Sequence, residues 1–363
     1  MQIIYKGIEH LADALEGSTK ILLVCDKSFP FLNIKEEIEH MDVPHVVFDD
    51  FTPNPLYEDV CKGVDLFQIT KCDTLLAIGG GSSMDVAKCI KLYCHMHRDQ
   101  LYLYQKYKDT GVKLIAIPTT AGTGSESTRY AVIYHDGQKQ SVTHDSIIPN
   151  IAILEPKVLK TLPLYQKKCT MLDALCQGIE SWWSVNSTDE SKLLSKEAVE
   201  TIIKWWHEYI YGNTEESSRK IMHAANLAGQ AICITQTTAP HAFSYKITSL
   251  YGLPHGHAVA ICLPEIWEYM SGNLDKCIDV RGASYLAKTF LDIALSMCCK
   301  NTTEAINLFR KLLENIKIDY PTTKDKTSEV EMLSRSVNPI RLKNNPIKLD
   351  EHTIEIIYNL ILH

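Results

Sequence analysis

The segment Cys72–Ile90, CDTLLAIGGGSSMDVAKCI, constrains the fold of this chain more than any other. An apolar run of strand length ends in Gly79, Gly80 and Gly81 and passes directly into an amphipathic helical pattern. Glycines let the backbone approach a ligand closely, and the first turn of a helix presents free N–H groups that suit a pyrophosphate. The pattern is neither GxGxxG nor a Walker loop, and alone it also fits a tight strand-to-helix turn in any α/β protein. A second small-residue loop, PTTAGTGSE at Pro118–Glu126, again follows an apolar run, KLIAI. Two such loops in one half of a chain favour a nucleotide clamp.

Around these loops, short β-branched runs alternate with helical patterns: TKILLVCD, PHVVFDD, DTLLAIGG, VKLIAIPT and a hairpin from Arg129 to Val142. Such alternation predicts a mostly parallel sheet covered by helices. After Leu162-Pro163 the period becomes helical, as in SKEAVETIIKWWHEYI and RKIMHAANLAGQAICIT. The expected architecture is a Rossmann-like α/β dinucleotide-binding domain over residues 1–155. A helical bundle domain over 156–363 follows, holding metal and substrate, with the active site in the cleft between the two. A length of 363 residues with 45% hydrophobic content suffices for two domains.

No segment reaches the roughly 18 uninterrupted apolar residues of a membrane span. The first residues lack the charged-then-apolar form of a secretory signal. Twelve cysteines lie mostly inside apolar runs without a CxxC, which fits buried thiols in a reducing cytoplasm. A formal charge of −7 gives no footprint for nucleic acid, so an anionic substrate would need a local cluster of cations.

The stretch Thr237–Val259, TTAPHAFSYKITSLYGLPHGHAV, carries His241, His255 and His257 around a Gly/Pro turn. Upstream, Asp173 and Gln177 stand at i, i+4 and project from one helix face. A helix bearing His241 that ends at Gly252–Pro254 would return His255 to the same point. Histidines with a carboxylate suit Zn2+ or Fe2+, although buried His and Asp also serve as satisfied polar groups.

Together, GGGSSMDVAK, PTTAGTGSE, the DAL…E helix and the PHG turn resemble the iron-containing (group III) alcohol dehydrogenase family, in order along nearly the whole chain. TTAPHAFSY…GLPHGHAV, ESWWSVNST and RLKNNP further resemble the branch that reduces phosphonoacetaldehyde to 2-hydroxyethylphosphonate. The resemblance implies NAD(H) or NADP(H), a divalent metal, and a homodimer. It maps Asn54, Gly80, Gly81, Ser82, Asp85, Thr119, Thr120 and Lys139 onto nucleotide contacts. It implies one Asp and three His as metal ligands; here Asp173, His241 and His255 match, and Gln177 stands where the family has its first His. A neutral amide is a weaker donor than imidazole, so Gln177 ligates, bonds a metal water, or does neither.

Tyr245 stands where many family members carry another His, and a phenol there can pass a proton to the nascent alkoxide; packing is the alternative. His257 is a candidate for substrate contact or proton relay, or else a cap or core residue. Asp26, closing TKILLVCD, can accept from the adenosine ribose and repel a 2′-phosphate, or simply cap the turn before Lys27-Ser28. For a phosphonate, Arg129, Lys246 and Arg341, the last with Asn344 and Asn345, are the candidate cationic and polar contacts. The leading reading is a metal-dependent NAD(P)H aldehyde reductase. Alternatives are a general short-chain alcohol or diol dehydrogenase, a lyase similar to dehydroquinate synthase, and a non-catalytic binding protein.

Overall fold

The computed structural model describes residues 2–363, with the side chains of Ile340 and Arg341 left aside. The chain forms two compact units, one comprising residues up to Pro163 together with Asn213–Gly229, the other comprising Leu164–Gly212 and Gln230–His363.

The first unit is an α/β layer structure. Its strands are β1 (Ile3–Tyr5), β2 (Ile21–Cys25), β3 (His45–Phe48), β4 (Thr74–Gly79), β5 (Lys113–Pro118), β6 (Tyr130–His135), β7 (Gln138–Thr143) and β8 (Ile151–Ile153). Its helices are α1 (Leu11–Leu15), α2 (Lys35–Glu39), α3 (Tyr57–Thr70) and α4 (Gly81–Tyr93). Six strands form a parallel sheet in the order β1-β8-β5-β4-β2-β3. β2 and β4 are buried along their whole length, as expected of parallel strands covered on both faces.

β6 and β7 form the expected hairpin, with Tyr134 opposite Lys139. Asp136 and Gly137 at its tip both have positive φ, the conformation of a two-residue turn that matches strand twist. The connection from β2 runs outward to β3, whereas that from β4 runs the opposite way to β5. The C-terminal ends of β2 and β4 therefore flank a topological switch point, where parallel sheets leave a ligand crevice.

The second unit is mostly helical: α5 (Leu164–Trp183), α6 (Asp189–His207), α7 (Glu215–Thr235), α8 (Ala239–Tyr251), α9 (His255–Gly272), α10 (Ala283–Ser296), α11 (Thr302–Asn315), α12 (Lys326–Ser336), α13 (Pro339–Leu342) and α14 (Glu351–Ile361). Of these, α7 belongs to the first unit as far as Gly229 and only residues 230–235 to the second; Gly229 meets Gly124 so closely that a Cβ on Gly124 would lie 2.3 Å from the Gly229 Cα. The helix α9 is buried from Gly256 to Trp267 and packs against α5, α8, α11 and α14. A helix apolar around most of its circumference has to be interior. No helix among the described residues is long and apolar enough to cross a membrane.

Candidate functional site

In the second unit, α5 carries Asp173 and Gln177 one turn apart, both buried. Gly252 adopts the left-handed conformation and ends α8, and α9 starts at His255. This brings the His241 and His255 rings to a centroid separation of 5.2 Å. The close return depends on Gly256, where a Cβ would lie 2.0 Å from the Cys169 carbonyl oxygen and 2.9 Å from the Asp173 Cβ. Any side chain there would push the start of α9 away from α5.

Asp173, His241 and His255 each offer a donor atom, all within 4.8 Å of one another. His241 Nε2 lies 3.4 Å and His255 Nε2 4.0 Å from Asp173 Oδ1. That oxygen is buried and lacks a hydrogen-bond partner. Donors around one ion held at roughly 2.0–2.2 Å lie about 3–4 Å apart, so the orphaned oxygen and the two nitrogens fit a divalent cation. The N,N,O donor set suits Fe2+ and Zn2+ alike. Gln177 Nε2 donates to Asp173 Oδ2 at 3.2 Å, which braces the carboxylate from the position that the family resemblance assigns to a ligand.

Glu180, two turns beyond Asp173, was not among the sequence candidates. Its Oε1 accepts from His241 Nδ1, and its Oε2 accepts from the Thr238 backbone N–H at 2.7 Å and the Thr238 hydroxyl at 2.9 Å. A carboxylate on Nδ1 holds the proton there and leaves the Nε2 lone pair for a metal. The i, i+7 spacing from Asp173 on one helix face was the available signal. Burial works against protonation of His241, but Glu180 and Asp173 outweigh it and raise the pKa to about 9. For Asp173, burial opposes ionisation, and His241 and His255 outweigh it, lowering the pKa.

Tyr245, one turn after His241, lies parallel to His255 with centroids 5.9 Å apart and an interplanar angle of 7°. His257, expected to touch substrate or relay protons, has a different environment. Its Nδ1 accepts from the Tyr165 hydroxyl at 2.7 Å, and its Nε2 faces the Asp319 carbonyl at 2.8 Å. A carbonyl only accepts, so Nε2 carries the proton and both ring nitrogens are occupied. Burial lowers its pKa and keeps it neutral. His257 thus ties the start of α9 to α5 and to the chain near Asp319. Lys246 follows Tyr245 on α8, and helical geometry turns it about 100° away. The side chain of Arg341 lies outside the described residues.

In the first unit, most nucleotide candidates gather at the ends of β2, β4 and β5. Asp26 follows β2, and a Cβ on Gly79 would come within 2.9 Å of its Oδ2. Asp26 Oδ1 accepts from Ser28 N at 2.8 Å, so the carboxylate also caps its turn. Gly80 is the N-cap of α4, and its Cβ position is 3.6 Å from Thr120 Cγ2. Thr119 N donates to the Gly79 carbonyl at 3.0 Å, and Asn54 N donates to Ser82 Oγ at 3.3 Å. Gly81 and Ser82 open α4 beside them.

Asp85 points elsewhere: it accepts from Ser125 Oγ at 3.4 Å and from the Val132 backbone N–H. Burial outweighs Lys88, these bonds and Lys139, and raises its pKa to about 6. Lys139 is exposed on β7. Arg129 pairs with Asp145 at 3.1 Å and lies over the Tyr130 ring.

Residues 3–156 match iron-containing alcohol dehydrogenase, and residues 168–362 match the C-terminal part of the Fe-containing alcohol dehydrogenase family. The chain belongs to the iron-containing alcohol dehydrogenase family. It is 29% identical over 336 residues to aldehyde-alcohol dehydrogenase 2 of Entamoeba histolytica, a match spanning 85% of this chain and only 38% of that protein. It is 28% identical over 325 residues to the phosphonoacetaldehyde reductase of Streptomyces viridochromogenes, spanning 86% of this chain and 81% of the relative. An iron-containing alcohol dehydrogenase from Thermococcus thioreducens shares its fold with a TM-score of 0.88 at 23% identity, covering 99% of this chain and 98% of the other. Family and metal cluster together make the chain a metal-dependent, NAD(P)-linked oxidoreductase of aldehydes or alcohols.

Proposed function

We propose that this chain reduces phosphonoacetaldehyde to 2-hydroxyethylphosphonate with NADH. The Asp173–His241–His255 cluster, with Tyr245 stacked on His255, carries the reductase reading. Similarity to the Streptomyces viridochromogenes phosphonoacetaldehyde reductase along most of both chains favours the phosphonate substrate.

When bound, the divalent metal supplies Lewis acidity at the carbonyl oxygen, and the nicotinamide supplies the hydride. The chain's own residues do the rest. Asp173, His241 and His255 hold the ion, Glu180 keeps the His241 proton on Nδ1, and Gln177 braces Asp173. Tyr245 hands a proton to the oxygen as the alcohol forms. Arg129, Lys246 and Arg341 contribute positive charge to the phosphonate. Asp26 accepts from the adenosine ribose and disfavours a 2′-phosphate, which selects NADH. Gly80, Gly81, Ser82, Thr119, Thr120 and Asn54 cradle the dinucleotide. In this reading the enzyme is a homodimer, with β1 at the sheet edge open to a second copy.

The test is NADH oxidation, followed by absorbance, with phosphonoacetaldehyde and propionaldehyde after reconstitution with Fe2+ or Zn2+. A kcat/KM clearly higher for the phosphonate is expected. Equal values would leave a general aldehyde reductase, and no net NADH consumption would point to lyase-like chemistry that regenerates its cofactor. Replacing Arg129 and Lys246 by Ala raises KM for the phosphonate and leaves that for propionaldehyde; equal effects would refute the cation assignment.

A further inference from the structure

Three segments of wording that point to the phosphonoacetaldehyde branch, ESWWSVNST, TTAPHAFSY and RLKNNP, are far apart in sequence and meet in one polar network of the second unit. Its hub is Asn344, buried just after α13. Asn344 Nδ2 donates to Gln236 Oε1 at 2.9 Å and to the Thr237 carbonyl at 3.3 Å. Its Oδ1 accepts from Asn186 Nδ2 at 2.9 Å, and its backbone carbonyl accepts from Val185 N at 3.1 Å. The amide is thus used at both ends, joining the turn after α5 to the turn between α7 and α8.

The second of these turns needs a clamp. Gln236 has φ +61°, a left-handed conformation that a non-glycine residue adopts at a cost of order 1 kcal/mol or more. Two residues later, Thr238 gives both its backbone N–H and its hydroxyl to Glu180, while the hydroxyl accepts from Trp183 Nε1 at 2.8 Å. Glu180 in turn receives the Nδ1 proton of His241, whose Nε2 faces Asp173. A continuous set of directional bonds therefore runs from Asn344 through the turn to a metal-facing imidazole. Had Asn344 served only to fill space, an apolar residue would have avoided burying an amide that needs partners at both ends.

We propose that Asn344 is a positioning residue for the metal centre: it fixes the Gln236–Thr238 turn, and through Thr238 and Glu180 it sets the orientation of His241. The proposal rests on the reading of Asp173, His241 and His255 as metal ligands. It assigns the RLKNNP segment a role in metal retention that is separate from substrate binding by Arg341.

Co2+ binding to the full chain tests it, with affinity measured by chelator competition and ligand geometry by the visible absorption bands of the bound ion. Wild type, N344A, E180Q and the double variant form a cycle. N344A should bind Co2+ about tenfold more weakly, as loss of an outer-shell partner does, and should alter the visible bands. In the E180Q background N344A should add nothing, because its effect passes through Glu180. N186A, which removes the donor to Asn344 Oδ1 and a longer bond to the Thr235 carbonyl but leaves the Asn344 bonds to Gln236 and Thr237 in place, should weaken binding in the same direction by less and keeps the test available if N344A does not fold. Unchanged affinity and spectrum in N344A and N186A, or full additivity of N344A with E180Q, would overturn the positioning role. Failure of the wild type to bind Co2+ would instead remove the metal reading itself and this proposal with it.

Discussion

Replacing Glu180 by Gln should change not just the strength of metal binding but its pH dependence. In the metal-free chain, Glu180 and Asp173 raise the pKa of His241 to about 9. At pH 7 roughly one ring in a hundred is therefore neutral, and a metal must displace a proton to reach Nε2. Apparent affinity should rise about tenfold per pH unit between pH 7 and 9, about 2.7 kcal/mol in all. Gln has one accepting oxygen, and Glu180 uses two: one toward Thr238, one toward His241. If the amide oxygen stays with Thr238, its NH2 faces Nδ1, and the imidazole proton moves to Nε2, the atom that must bind the ion.

Two effects follow. Loss of the carboxylate removes much of the proton competition, so the E180Q curve flattens. Loss of the orienting partner weakens binding about 10–100-fold where the ring is already neutral. The wild-type and E180Q affinities should therefore differ most at pH 9 and converge toward pH 7. Zn2+ competition against a chromophoric chelator at pH 7, 8 and 9, with thermal melts to show both proteins folded, measures this. Parallel curves, or a flat wild-type curve, would refute the reasoning. The same linkage acts on the metal-free fold. The raised His241 pKa contributes stability that is complete below about pH 6.5 and is lost as pH rises through about 9.

Three further outcomes can be checked. Gly256→Ala puts a methyl against the Cys169 carbonyl and the Asp173 Cβ; it should cost roughly 1–3 kcal/mol in urea unfolding and weaken Zn2+ binding, and an unchanged midpoint would count against the close approach. Gln177→His supplies an imidazole in place of the amide and should tighten Zn2+ binding roughly tenfold or more in the chelator assay; weaker binding would show that bracing of Asp173 matters more. Asp85, with a pKa raised from 3.8 to about 6, favours the folded state when protonated, so stability of the nucleotide-free chain should fall as pH rises from about 4 to 6. Asp85→Asn should remove that slope and be more stable than wild type by about 2–3 kcal/mol at pH 7 and equal to it at pH 4, measured by urea unfolding.

Much of the fold was legible locally. Buried parallel strands read as continuous apolar runs, Gly79–Gly81 marked the passage from β4 to α4, and Asp136-Gly137 supplied the hairpin turn. These follow from backbone sterics and side-chain period, which act over a few residues. Likewise, the i, i+4 pair on α5 and the Gly/Pro break before His255 fitted a metal cluster and buried polar groups alike, and the family resemblance favoured the metal. Lys139 shows the limit, since its register against Tyr134 depends on a pairing that composition does not specify.

What only the tertiary structure decided is which polar groups satisfy one another. His257 stands two residues from a ligand, yet its ring is engaged by Tyr165 and Asp319 from distant segments. Asp85 follows the glycine loop, yet its carboxylate serves Val132 and Ser125. Glu180 closes the DAL…E motif and Asn344 lies in RLKNNP as a candidate substrate contact, yet their bonding roles arise because burial obliges each donor and acceptor to find a partner wherever the fold supplies one. The sequence by itself determined the helices, the strands and the ligand types; Gln177 braces Asp173 from the same helix, but Glu180, which orients His241, and Thr238, which holds Glu180, come from chain segments more than 50 residues apart, and only packing brings such segments together.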